Sequence, residues 1–318
     1  MRNYIIIFIF IVFSTTVVKA QQHTMYSQFF NNEIVYNPAV SGSKTYNPLV
    51  IQTRQQWLGF EDAPFTTTIS YHELVNQNSA LGAVFSFENT NPSLKSDLKL
   101  SYAFHVPLNS NRTFLSFGIA PSLLYYSLNF DLEDLPENQD PAFSASTFTS
   151  ISYDLSSGVY LYNERLSLGF SCLNMLQSPF NAEVLSQSNQ SVGKTSFGNN
   201  IQIMSFYSFA SYNIDIINND WSVEPILLLR DAIDQKQIID FVTRVKYLNH
   251  NWMGCGYRSD GTLSFSFGFK SKRMHIGYAY DHQLTGEIMN YNYGTHEFVI
   301  SFQLPAIQHN RHTNFWIF

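Results

Sequence analysis

The stretch TLSFSFGF, residues 262–269, alternates without a break. Leu263, Phe265, Phe267 and Phe269 fall on one face, and Thr262, Ser264, Ser266 and Gly268 on the other. A period of two marks a β-strand whose faces meet different surroundings. Here one face is aromatic, and the other is small and uncharged. RMHIGYAY, 273–280, repeats the pattern, with Met274, Ile276, Tyr278 and Tyr280 opposing His275, Gly277 and Ala279. KLSYAFHV (99–106), RLSLGF (165–170) and FTTTISYH (65–72) follow it too. Short polar stretches such as LNSNR (108–112), YNERL (162–166), RSDGT (258–262) and KSKR (270–273) separate the runs and read as hairpin turns.

Extended over the chain, this pattern predicts about 14 antiparallel strands between residues 47 and 304. One of them is expected to run unbroken over 195–213. Residues 132–146, acidic and proline-containing, and 177–194 are expected to be irregular. Two architectures take such strands. A soluble sandwich packs its apolar faces together and shows polar faces to water. An outer-membrane barrel turns its apolar faces to lipid and its small or polar faces inward. Charged residues make up only 13% of the chain and aromatics 16%. A water-facing sheet surface would carry more charge, so the pattern favours an all-β transmembrane antiparallel barrel. Closure follows, because backbone groups in lipid must all be paired.

The chain begins with the layout of an export signal. A positive start, Met1-Arg2-Asn3, precedes the apolar run YIIIFIFIVF (4–13) and the end Val18-Lys19-Ala20. That run is too short to span a bilayer as a helix. The expected organisation is a signal peptide over 1–20, a periplasmic or lumenal segment over 21–46, an outer-membrane barrel over 47–304 and a tail over 305–318. Phe302 and Phe318 are both candidates for the terminal aromatic of a barrel strand. The net charge of −6, with no dense basic patch, argues against nucleic acid. Cys172 and Cys255 have no metal-type spacing. One disulfide, or two free thiols in strands, are both open.

Between leader and first strand lies YSQFFNNEIVYNPAVSGS, residues 26–43, neither a clean strand nor a clean helix. Asn37-Pro38 forces extended backbone and Ser41-Gly42 permits a sharp turn. TRQQWLGFEDAPFTTTISYH, 53–72, follows. Together the two blocks resemble the PorP/SprF family of outer-membrane proteins, linked to type IX secretion and gliding motility in Bacteroidota. The residues that carry the resemblance are Tyr26, Ser27 and Gln28; Asn37, Pro38, Ala39 and Gly42; Arg54, Gln56, Trp57, Gly59 and Phe60; and Ala63 and Pro64. GYAYDHQL (277–284) and YGTHEFVIS (293–301) look like the family's closing strands. Family members commonly end near the last strand, whereas this chain continues through PAIQHNRHTNFWIF (305–318).

The resemblance implies a non-enzymatic barrel in outer-membrane lipid. It implies support for secretion or surface anchoring of an adhesin-like protein. It also implies contact with periplasmic secretion or motility subunits, peptidoglycan-linked proteins among them. The motif residues would brace the barrel mouth or touch a partner. Arg54, if it points inward, requires a carboxylate or carbonyl partner. The segment 26–43 would be tethered at the periplasmic mouth or folded into the lumen.

Catalytic signals are weak. There is no G-x-S-x-G and no phosphate-binding glycine loop. The histidines are scattered; His105 and His275 fit a polar lining, and His309 and His312 lie in the tail. The acidic loop with Glu133, Asp134, Glu137 and Asp140 lacks the spacing of a calcium loop. No cofactor is expected. A passive or substrate-specific pore remains the alternative, with a barrel hydrolase behind it.

Overall fold

The computed structural model describes residues 24–108, 112–129, 147–185, 191–217, 220–233, 235–248, 250–285 and 292–305. The expected signal peptide, the acidic loop and nearly all of the tail lie outside them. Three short 3-10 turns open the described chain, at Phe29–Asn31, Glu33–Val35 and Pro38–Val40. The strands follow as β1 (Asn47–Gln55), β2 (Phe65–Leu74), β3 (Ser79–Thr90), β4 (Ser93–Pro107), β5 (Phe114–Asn129), β6 (Thr147–Tyr162) and β7 (Leu166–Leu173). Next come β8 (Pro179–Leu185), β9 (Ser191–Ile201), β10 (Ser205–Tyr212), β11 (Ile214–Ile217) and β12 (Trp221–Ala232). The last five are β13 (Ile238–Tyr247), β14 (Asn251–Arg258), β15 (Thr262–Lys270), β16 (Met274–Gln283) and β17 (Thr295–Leu304).

All pairings are antiparallel, and 14 of the strands close a ring. β1 to β7 pair in sequence, β7 pairs with β10, β10 with β12, and β12 to β17 continue the wall. β17 returns to β1 with Asn47 opposite Leu304 and Gln55 opposite His296. The remaining strands are additions to this wall. β11 pairs with β12 alongside the start of that strand. β8 and β9 form a hairpin that pairs with the first residues of β6. This corrects the expectation of one strand over 195–213. Gln202, Ile203 and Met204 interrupt the ladder, so β9 joins β8 and only β10 enters the barrel. The stretch 177–194, expected to be irregular, supplies all of β8 and the start of β9.

Burial is inverted relative to a soluble domain. Outward along β15, Phe265, Phe267 and Phe269 are exposed; along β4, so are Leu100, Tyr102 and Phe104. Inward on β4, Ser101, Ala103 and His105 are buried; inward on β1 and β2, so are Gln52, Arg54, Thr66, Thr68, Ser70 and His72. Cys255 sits on the outer face and Cys172 is half-buried; both are free thiols.

The apolar core lies inside the ring, between the wall and the segment that precedes β1. Tyr26, Phe29, Phe30 and Tyr36 pack against Leu173, Tyr207, Ile226, Leu228, Val242 and Trp252. Ile34, Ala39 and Val40 pack against Val84, Tyr160 and Tyr162.

Strand direction separates two ends. The chain enters β1 at the end that carries the short connections 75–78, 163–165, 248–250 and 271–273. At the opposite end the chain passes between β1 and β2, β5 and β6, β7 and β10, and β16 and β17, by longer connections. These are called the short-turn and long-loop ends below.

The outer face makes a direct prediction. Arg in place of Phe267 puts a charge into lipid and costs about 2–4 kcal/mol near the bilayer midplane. Unfolding titrations in lipid vesicles measure this. A neutral effect would mean that this face does not meet hydrocarbon.

Candidate functional site

The segment 24–46 is held in the lumen by three groups of contacts, and the charged one is the most heavily bonded. Arg54 on β1 and Glu297 on β17 are directly opposite in the ladder. Both point inward and are buried. Arg54 Nη1 lies 3.2 Å from Glu297 Oε2, and its Nη2 lies 2.8 Å from Asp281 Oδ2. Glu297 also accepts two successive backbone N–H groups of the segment, Ser27 at 2.8 Å and Gln28 at 2.9 Å. Gln52 Nε2 donates to Glu297 Oε1 at 2.9 Å. A carboxylate taken out of water needs such donors, because a lone buried charge costs several kcal/mol.

A second knot abuts the first. Asp240 on β13 accepts from Arg258 Nε at 2.6 Å and is paired with Arg230. The Ser27 hydroxyl joins the two. It donates to Asp281 Oδ2 at 2.7 Å and lies 3.3 Å from Arg258 Nη2. Three arginines therefore face three carboxylates, and the motif serine sits among them. Its neighbours add further ties. Tyr26 Oη and Thr68 Oγ1 share a hydrogen bond of 2.7 Å, and Tyr26 N donates to Tyr36 Oη at 3.2 Å. Burial pushes the Tyr36 phenol up to about 12, so it stays neutral and able to accept.

The second group lies farther along the segment. Asn37 caps the turn at Pro38–Val40: its Oδ1 accepts from Ala39 N at 2.9 Å, as its extended backbone and the following proline allow. Its Nδ2 donates to Val159 O on β6 at 3.0 Å. The wall is cut back here to admit the backbone. A Cβ added at Gly158 would stand 2.1 Å from Asn37 Oδ1, and one at Gly118 would stand 2.3 Å from Ala39 N. At Gly118 and Gly158 the small inward face is the imprint of the segment. Gly42 turns the chain at φ +73, a region that favours glycine, and its N–H donates to His72 Nδ1 at 3.0 Å. His105 bridges Ser41 O at 2.8 Å and Tyr162 Oη at 2.9 Å. Both histidines hold backbone or a phenol.

The third group is aromatic. Phe30 stands edge-on to Trp252 at 5.4 Å, with the Arg244 guanidinium 4.5 Å from the Phe30 ring centre. Arg244 is opposite Glu224 in the ladder and pairs with it.

The 14 motif residues therefore divide. Tyr26, Ser27, Gln28 and Arg54 meet in the charged network. Asn37, Pro38, Ala39 and Gly42 line the contact with β3 to β7. Gln56, Trp57, Gly59, Phe60, Ala63 and Pro64 are not brought to either. They form the β1–β2 connection at the long-loop end, where Leu58 N donates to Gly294 O at 2.9 Å and Tyr293 N to Leu58 O at 2.7 Å. Leu58 and Phe60 are exposed there, at 43% and 40%.

Several anchoring residues were not singled out from the sequence: Gln52, His72, Arg230, Asp240, Arg258, Asp281 and Glu297. Their signal was parity. Asp281 shares a face with Gly277 and Ala279, and Glu297 with Thr295, Val299 and Ser301. A charged residue on an inward face must find a partner. Removing one is costly. Met in place of Arg54 strands two buried carboxylates and should cost about 3–5 kcal/mol in reversible unfolding from vesicles. A loss of about 1 kcal/mol or less, the size of an exposed pair, would contradict the burial described.

Residues 18–302 match the family model described as type IX secretion system membrane protein PorP/SprF. No curated protein matches the chain. Among solved structures, the toluene transporter TbuX of Ralstonia pickettii is 11% identical with a TM-score of 0.53, over 86% of this chain and 93% of that one. The toluene transporter TodX of Pseudomonas putida is 12% identical, with a TM-score of 0.47 and coverages of 86% and 93%. At this identity the likeness to TbuX is one of fold: an outer-membrane barrel. The family match covers most of the chain, and the chain belongs to the PorP/SprF family of type IX secretion system membrane proteins.

Proposed function

We propose that this barrel is a plugged, non-enzymatic docking component of the type IX secretion and gliding apparatus in the outer membrane. It supports secretion or surface anchoring of an adhesin-like partner and docks periplasmic machine subunits. The observation that carries this reading is the lumen. Residues 26–43 pack inside it, fixed by Glu297, Asp281, Asn37 and His105 rather than resting loosely at one mouth. Such an interior suits a scaffold that presents surfaces at its two ends. By the usual convention for these barrels, short turns and both termini face the periplasm and long loops face outward. The short-turn end would then meet machine subunits, and the long-loop end would meet the exported partner. The Trp57–Pro64 connection, with Leu58 and Phe60 exposed, is part of that outer rim.

The alternative is a passive or substrate-specific pore. The fold shared with the TbuX transporter speaks for it. The packed segment speaks against it, since solutes would have to displace a buried ion network.

The test is capture of the tagged protein from native outer membranes in mild detergent, with bound proteins identified by mass spectrometry. Secretion-system subunits or a large exported protein should be recovered. They should be lost when 26–43 is replaced by a neutral linker. Recovery of the barrel alone from native membranes would overturn the docking reading.

A further inference from the structure

A cavity lies in the lumen at the short-turn end, on the far side of the segment from the Arg54–Glu297 network. Its volume is about 330 Å³. Four cationic side chains line it: Lys44, Arg244, Lys246 and Lys270. The facing carboxylates are two. Glu33 lies 3.7 Å from Lys44 Nζ. Glu224, beside the cavity, is shared between Arg244 and Lys246, the latter at 2.9 Å. Lys270 is half-buried and makes no ion pair with any described residue. The cavity therefore has an excess of two positive charges inside a chain whose net charge is −6.

Neutral donors lean the same way. Asn32 lines the cavity and is 3% exposed. Its Oδ1 accepts from Ser70 Oγ at 2.6 Å, but its Nδ2 has no acceptor. His275 Nε2 accepts from Trp252 Nε1 at 2.7 Å, so the neutral ring carries its proton on Nδ1 and offers another donor. A buried donor without an acceptor is costly, and native structures rarely leave one unmatched. Here a buried amide without an acceptor and two excess positive charges, Lys270 among them, line the same space.

We propose that this vestibule is a binding site for a phosphate-class oxyanion. The donors come from the segment, from β13, from β15 and from β16. A tetrahedral dianion presents oxygens on all sides and can meet donors from several directions, whereas a monocarboxylate presents two oxygens on one side. The two excess charges match a dianion. The volume holds a group of that size. The site is separate from the Arg54–Glu297 network, where every arginine has its carboxylate, and it does not depend on the docking reading.

The experiment is calorimetric titration of the full chain, reconstituted in phosphatidylcholine vesicles, with inorganic phosphate. Saturable binding is expected. It should weaken at least tenfold in Lys270→Met and be abolished in Asn32→Asp, which keeps the acceptor for Ser70 but places a carboxylate in the cavity. Lys95→Met, in a separate pocket lined by Tyr26, Thr68 and Lys99, should bind as the native protein does. Heat-modifiable gel migration shows which variants are folded. Repeating the titration with phosphatidylglycerol present identifies the source of the anion. Unchanged binding points to free phosphate, and competition points to a lipid headgroup. Absence of saturable binding, or equal binding in folded native, Lys270→Met and Asn32→Asp proteins, overturns the proposal.

Discussion

The Glu297 carboxylate accepts the backbone N–H groups of Ser27 and Gln28 while paired with Arg54. These contacts fix where the segment begins its path through the barrel. Each partner is inside because strand parity puts it there, and each would be prohibitive alone. The arrangement is stable only when complete, so the barrel and the segment within it specify each other. Asp281 and the Asp240 group extend the network, and Ser27 Oγ joins the two halves. A buried ion network of this kind contributes less to total stability than an apolar core of equal volume. What it contributes here is a unique position for the segment.

The remainder of the segment follows from that position. Phe29 and Phe30 reach the aromatic lining, and Asn37 to Gly42 reach the β3–β7 wall. There Gly118 and Gly158 leave room for a passing backbone. The hydrophobic core is consequently the plug within the barrel, and the exterior is left apolar for lipid. The same inversion explains the composition. Few charges are needed on a lipid face, and most inward charges of the Arg54 and Asp240 groups are paired across neighbouring strands.

The fold was legible because lipid imposes a simple rule. Outward residues must be apolar on every strand, so TLSFSFGF and its relatives repeat one pattern, and the 14-strand wall could be traced from it. The β8–β9 hairpin was not legible. It pairs only with the first residues of β6, outside the ring that the lipid-facing pattern traces, and the pause at Gln202–Met204 carries no strong turn signal. For the site, the N-terminal blocks and the closing strands stood out as separate stretches. That Arg54 would require a partner if inward was readable from chemistry. That the partner would be Glu297, 243 residues away, depends on ring closure and register, which local pattern does not contain. The exposed Trp57–Phe60 loop and the buried Tyr26–Gln28 turn looked alike in sequence, because aromatic residues suit both a rim and a core.

The central claim is that the segment before β1 closes the lumen and that Glu297 holds it there. Ion conductance across planar bilayers tests it most directly. The native protein should be silent. Glu297→Ala, or replacement of 24–43 by a Gly/Ser linker, should open a steady conductance. A native protein that conducts as well as these variants would contradict it.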